Sequence, residues 1–192
     1  MSRIGDLFFV RKHHVCPRWL CFTFDNWIRR CLQNPDQIIK PYVREGNTVV
    51  DVGPGIGFFT IPLARLVGDS GKIIAVDIQD RMLAAIRKRA ESAGLGHRIV
   101  TQLALAEPLQ IDGGADFVLA FWMAHEVPEQ SKFFSELHSV LKKEGKFLLV
   151  EPKMHVSHTQ FEAAIRTAQN VGFKLLERPD IRLSLAALLV KN

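Results

Sequence analysis

The sequence predicts an α/β fold, a largely parallel sheet wound on both faces by helices. Three observations predict it. Residues 48–52, Thr-Val-Val-Asp-Val, form a β-branched apolar run that reads as a buried parallel strand. The chain then breaks into a turn with glycine at every second position, Gly53, Gly55 and Gly57, and enters an apolar helical pattern over 58–67 that stops at Gly68. Residues 72–78 repeat the strand signal and carry Asp77 near its carboxyl end, 20 positions after Gly57. Strand-like and helix-like patterns keep alternating down the chain, as a doubly wound sheet requires.

The 192 residues fit one domain, and an apolar share of 47% leaves enough side chains for a sizeable core. No run of about 18 apolar residues occurs, so no membrane span is expected. The start of the chain lacks a charged-then-apolar leader with a small-residue cleavage site, which makes a cytoplasmic location the expectation. The net charge is +5, and +4 of it belongs to residues 1–50. Such an arm can attract an acidic substrate, RNA or an anionic surface, or can simply be solvated. Cys16, Cys21 and Cys31 lie in the same arm, beside His13 and His14. Three is an odd number for a disulfide framework, and their spacing matches no zinc pattern, so no metal is assigned and small apolar packing residues are expected.

Taken in order, residues 1–33 hold six of the 17 aromatics, among them Trp19 and Trp27. A segment this apolar should pack on the rest of the chain, and we read it as a lid with a helix within 17–32. Asn34-Pro35-Asp36-Gln37 is a helix start, with Asn as cap and Pro at the first position, for a short helix to about Val43. Asp80 can cap the next helix, in which Leu83, Ile86 and Ala90 recur at helical spacing before Gly94. Residues 98–104 are strand three and 116–122 strand four. An amphipathic helix over about 129–143 is expected to end at Gly145, and 146–152 is strand five. Thr159-Gln160-Phe161-Glu162 reads as a capping box opening a helix that closes at Gly172. Residues 173–177 and 183–190 are the last two strands.

The glycine turn is not the dinucleotide fingerprint G-x-G-x-x-G, because the third glycine comes one position early and Phe58 follows it. The pattern D-x-G-x-G-x-G, opened by Asp51, together with Asp77 at the end of strand two, resembles motif I and the acidic loop of the class I S-adenosylmethionine (SAM)-dependent methyltransferases. The resemblance covers roughly residues 34–192 and is nearest the single-domain small-molecule enzymes of the ubiquinone- and menaquinone-methylating kind. It implies a Rossmann-like seven-stranded sheet of order 3-2-1-4-5-7-6, last strand antiparallel, with residues 34–192 as the SAM-binding domain and 1–33 as the lid. It also implies SAM as cofactor, with contacts from Asp51, Gly53, Pro54, Gly55, Gly57, Asp77, Ile78, Leu105 and Ala120. Asp77 would accept hydrogen bonds from two ribose hydroxyls, and Asp116 would be structural. The sequence departs from the family after strand three. There Ala104-Leu105-Ala106 replaces the usual polar residue, so adenine would be held by backbone and apolar packing or by Glu107.

Methyl transfer from a sulfonium is an in-line displacement, in which the protein chiefly positions the acceptor and excludes water. A base is needed only where the acceptor carries a proton of high pKa. Ligands in an open α/β sheet sit beyond the carboxyl ends of the strands, where strands one and four flank the switch point. His125 and Glu126, just after strand four, and Glu151, at the end of strand five, are the catalytic candidates; His155 and His158 follow on a loop. Trp122 could line the lid or belong to the core.

Several subclasses are disfavoured. The Asp/Asn-Pro-Pro-Tyr/Phe motif for amino groups on bases is absent, the only Cys-Pro pair is reversed for a cytosine-C5 enzyme, and no acid ends strand four as magnesium-dependent catechol enzymes need. The expectation is a methyltransferase for a small-molecule acceptor, with no nucleic-acid partner. The alternatives are an RNA or protein methyltransferase using the basic arm, a metalloid methyltransferase using the three cysteines, and a non-catalytic SAM-binding protein.

Overall fold

The computed structural model describes residues 33–104 and 113–192. The lid over 1–33, apart from Gln33, with the three cysteines, Trp19 and Trp27, and likewise Leu105 and Glu107, lie outside the described residues. Seven strands form one sheet of order β3-β2-β1-β4-β5-β7-β6. They are β1 (Thr48–Val52), β2 (Lys72–Asp77), β3 (Ile99–Leu103), β4 (Ala115–Phe121), β5 (Leu141–Pro152), β6 (Phe173–Glu177) and β7 (Ser184–Lys191). β1 to β5 pair in parallel, and β7 runs antiparallel between β5 and β6. This is the strand order the resemblance implied, with the last strand of the chain reversed.

Among the described residues five α-helices cover the two faces: α1 (Pro35–Ile39), α2 (Thr60–Leu66), α3 (Asp80–Ser92), α4 (Gln130–Val140) and α5 (His158–Asn170). Alternate residues of a strand face opposite sides of the sheet. Val50 and Val52 of β1, with Phe147 and Leu149 of β5, therefore pack with Phe133, Phe134 and Leu137 of α4 and Phe161 and Ile165 of α5. Val49 of β1, Phe117 and Leu119 of β4 and Leu148 and Val150 of β5 pack on the other side, with Ile39 of α1 and Ile61 and Leu63 of α2. Leu83 and Ile86 of α3 close the same side over Ala75. Strands buried on both faces are what the unbroken apolar runs required.

Local chemistry sets the element ends. Asn34 caps α1 by accepting from the amides of Asp36 and Gln37, with Pro35 in the first turn, but the helix ends at Ile39, short of Val43. Gln79, not Asp80, occupies the cap of α3, and Asp80 instead pairs with Arg87. The capping box of α5 lies two residues earlier than expected. Ser157 accepts from the Gln160 amide, and the Gln160 side chain accepts from the Ser157 amide. Gly145 does not end a helix. α4 stops at Val140, Leu141 is already extended and pairs with Ala115, and Gly145 lies inside β5 beyond a register shift. A Cβ at Gly145 would stand 2.8 Å from the Lys142 carbonyl oxygen and 3.1 Å from that of Ala115, so the glycine allows backbone to approach backbone in the bulge. Asp116 is structural as expected: it accepts from the Thr48 amide at 2.8 Å and from Lys142 Nζ at 2.7 Å, tying β4 to the start of β1 and to β5.

Candidate active site

The carboxyl ends of β1, β2, β4 and β5 meet where the order reverses between β1 and β4. After β1, Gly53, Gly55 and Gly57 all take left-handed backbone, with φ of +63°, +56° and +88°. The three glycines differ in surroundings. A Cβ on Gly53 would meet Met123 Cγ at 2.9 Å, and one on Gly57 would meet Ile86 at 3.2 Å, so both serve close packing. A Cβ on Gly55 would meet nothing within 4 Å. Gly55 therefore presents bare backbone to open space. Arg89 of α3 donates to the Ile56 carbonyl at 2.7 Å and fixes the loop from behind.

Two acids flank this loop. Asp51 is buried in mid-β1, where it accepts from Thr60 Oγ1 at 2.7 Å. Burial pushes its carboxyl up to about 7, against the Thr60 hydrogen bond and with help from the charge of Asp77. Asp77 ends β2 and is also pushed up, to about 6, by burial, against hydrogen bonds from the backbone amides of Gln79, Gly55 and Ile78 and the charge of Arg81. The Gln79 amide bond is 2.8 Å long. Pro54 is buried in the glycine turn, and Ile78 is half-buried just beyond Asp77. Ala120 is fully buried in β4, in register with Val52.

On the other side of the switch point, β4 ends at Phe121 and the chain turns through Trp122, a non-glycine residue with φ of +62°, into a short turn of 3₁₀ helix, Ala124–Glu126. That turn brings together two of the candidates. The Glu151 carboxylate at the end of β5 takes the His125 amide on one oxygen at 2.8 Å and His125 Nδ1 on the other at 2.6 Å. Burial acts to lower the imidazole pKa, but the hydrogen bond and charge of Glu151, with the charge of Glu126, outweigh it and hold the pKa above its ordinary value. Glu126 is itself raised, by burial first and then by the charges of Glu151 and Asp77, against the opposing effect of His125. The His155 ring centroid lies 6.0 Å from that of His125, while His158 starts α5. Thr60 was not read from the sequence, although a lone hydroxyl in an apolar helical run could have been noticed. Trp122 was read as a lid or core aromatic, and its left-handed backbone leaves no sequence signal.

The crevice thus has Asp51 and Asp77 at the glycine loop and Glu126 and Glu151 beside His125, with the carboxyls of Asp51, Asp77 and Glu126 raised by burial. A ligand bearing positive charge beside ribose hydroxyls fits this donor set, and SAM carries both a sulfonium and an ammonium. Gly55 leaves its backbone face open, the Asp77 carboxyl lies beside it, and Asp51 with Thr60 sits beneath the loop. Among the described residues, no group of three or more His, Cys, Asp or Glu side chains could hold a metal ion.

A sequence profile of the family described as "Methyltransferase domain" matches residues 44–177. The ubiquinone/menaquinone biosynthesis C-methyltransferase UbiE of Marinomonas sp. (strain MWYL1) is 31% identical over 135 residues, covering 70% of this chain and 52% of that protein. The chain spans about half the length of the curated relatives it matches. Among solved structures, a SAM-dependent methyltransferase from Aquifex aeolicus superposes with a TM-score of 0.76 at 22% identity, covering 92% of this chain and 98% of that one. The [4+2]-cyclase SpnF superposes with a TM-score of 0.69 at 16% identity over 82% of this chain and 80% of its own, so the fold alone does not name a reaction. The profile spans most of the chain, and the acid-flanked glycine loop and strand order agree with it: the chain belongs to the methyltransferase-domain family.

Proposed function

We propose that the protein transfers a methyl group to carbon on a small-molecule acceptor that must first lose a proton, with His125 as the base. The observation that carries this reading is the His125–Glu151 pair, 2.6 Å apart at the ends of β4 and β5. Relatives named for C-methylation support the carbon acceptor. Bound SAM supplies an electrophilic methyl that needs no further activation.

Asp77 and the Gly55 backbone hold the cofactor, so that the acceptor occupies the space on the His125 side. Glu151 grips Nδ1, which fixes the tautomer with the proton on that nitrogen and leaves Nε2 to take a proton from the acceptor. Loss of that proton gives the acceptor carbon the electron pair that forms the new bond. A positioned base of this kind contributes about 10²–10⁴-fold. The imidazole must be neutral to act, so activity rises with pH through a pKa held above the ordinary histidine value.

The test is His125→Gln beside Glu151→Gln, assayed with phenolic and enolisable acceptors across pH. His125→Gln should lower kcat by about 10²-fold or more without weakening SAM binding. Glu151→Gln should move the inflection to lower pH, because the charge that raises the imidazole pKa is gone. Activity that survives His125→Gln at all pH values would remove the base and leave positioning alone as the source of rate.

A further inference from the structure

The loop that carries His125 is anchored on the far side of β5. Trp122 sits in left-handed backbone, which is strained for an L-residue, so its surroundings must hold it there. They do so at two points. The Trp122 amide donates to the Val150 carbonyl at 2.8 Å, continuing the β4–β5 ladder by one residue. Its indole Nε1 donates to Ser184 Oγ at 2.9 Å. Ser184 is the first residue of β7 and pairs with Pro152, one step from Glu151. β5 lies between β4 and β7, so the indole reaches across the end of β5.

The Ser184 hydroxyl is buried and its hydrogen bonds are defined. It also accepts from Gln33 Nε2 at 3.2 Å and donates to the Arg182 carbonyl at 3.3 Å. Gln33, itself buried, binds the same carbonyl at 2.8 Å. The residue before Ser184, Leu183, is also left-handed, with φ of +63°, so the turn into β7 is shaped to deliver this hydroxyl. Alternation along β5 puts Glu151 on the face of Leu149 and Pro152 on the face of Val150. Trp122 packs with the cluster that contains Val150, while Met123 and Ala124 pack with the cluster that contains Leu149. The chain therefore crosses over the end of β5 between Trp122 and His125, held by Ser184 on one face and by Glu151 on the other.

We infer that Ser184, through the Trp122 indole and with Gln33 behind it, is a positioning residue that fixes the His125 loop for proton transfer. This rests on the reading of His125 as the base, but its test does not. Neither Ser184 nor Trp122 needs to touch the acceptor. Their effect is to keep the Ala124–Glu126 turn seated so that both His125 contacts with Glu151 persist. The groups facing His125 are Glu151 from β5, Glu126 from its own turn and His155 from the loop after β5.

The experiment is NMR titration of the His125 ring in the cofactor-free protein, comparing the parent with Ser184→Ala, Ser184→Thr and Trp122→Phe. Trp122→Phe keeps a ring against Phe121 and removes the indole donor with one ring of the bicycle, whereas Ser184→Ala removes the acceptor alone. Loosening the turn should let the His125 pKa fall toward its ordinary value in Ser184→Ala and Trp122→Phe, and Ser184→Thr, which keeps the hydroxyl, should restore it. In turnover assays the first two variants should lose roughly 10- to 100-fold in kcat, the scale of a misplaced reacting group, with KM for SAM unchanged. An unaltered His125 pKa in both folded variants would overturn the inference whatever their activity. A lowered pKa with unaltered kcat would uphold the anchoring and count against His125 as the base.

Discussion

At the scale of single residues, Asp51 shows what burial does to a charge in this fold. Its carboxyl is raised from an ordinary value of 3.8 to about 7, with one hydroxyl from Thr60 as compensation. A raised folded-state pKa means that, between about pH 4 and 7, the native state holds a proton that the unfolded chain has released. The stability of the cofactor-free protein is therefore lost progressively as pH rises through that window. Asp51→Asn keeps an acceptor for Thr60 without the charge. Urea denaturation at pH 5 and pH 7 should show the variant gaining relative to the parent at the higher pH. Each pH unit of displacement is worth about 1.4 kcal/mol. A constant difference between the two pH values would show that Asp51 is not the group responsible.

His125 has the same sign for a different reason. Its raised pKa comes from pairing with Glu151 and the charge of Glu126, so its contribution is complete below the ordinary histidine value and fades as pH rises through the folded one. Both partners were legible in the sequence as acid-base candidates. Their pairing was not, because 26 positions separate them and only the parallel register of β4 on β5 brings them within 2.6 Å.

At the scale of elements, the loop after β1 separates two uses of glycine. Gly53→Ala combines left-handed strain with a contact to Met123, two residues before His125. Gly55→Ala brings the strain alone, with open space in front of it. Left-handed backbone costs an L-residue about 1–2 kcal/mol, so both variants should melt a few degrees lower, Gly53→Ala more than Gly55→Ala. SAM affinity should fall most in Gly55→Ala, and kcat most in Gly53→Ala, because only the latter displaces the His125 loop. Thermal melts and calorimetry on the two variants check the order; equal effects on both properties would erase the distinction. Element ends were the least legible part of the chain. Lys142-Lys143-Glu144 suit a helix, yet Leu141 is drawn into the ladder with Ala115 and Glu144 takes φ of +61° instead. Tertiary pairing overrides local propensity there. The cap of α5 fell on Ser157 rather than Thr159 because Ser157, not Thr159, completes both hydrogen bonds with Gln160.

At the scale of the whole molecule, the sheet order decides which loops can meet. Parallel β1 to β5 point their carboxyl ends the same way, and the reversal between β1 and β4 opens the crevice there. Asp51, Gly55 and Asp77 were legible because the glycine spacing and the following acid lie within one strand-turn-helix-strand unit. Ser184 and Gln33 were not, since Ser184 meets Trp122 from β7, 62 positions away, and Gln33 meets Ser184 from before α1, 151 positions away. No local pattern encodes a contact of that range. Among the described residues no helix is long and apolar enough to cross a membrane.

The central claim is that the acid-flanked glycine crevice holds SAM, and calorimetric titration of the purified protein tests it most directly. SAM and its demethylated product should both bind, NAD should not, and Asp77→Ala should abolish the first two while the variant stays folded by circular dichroism. Undiminished binding of SAM to folded Asp77→Ala, or binding of NAD in its place, would contradict the account.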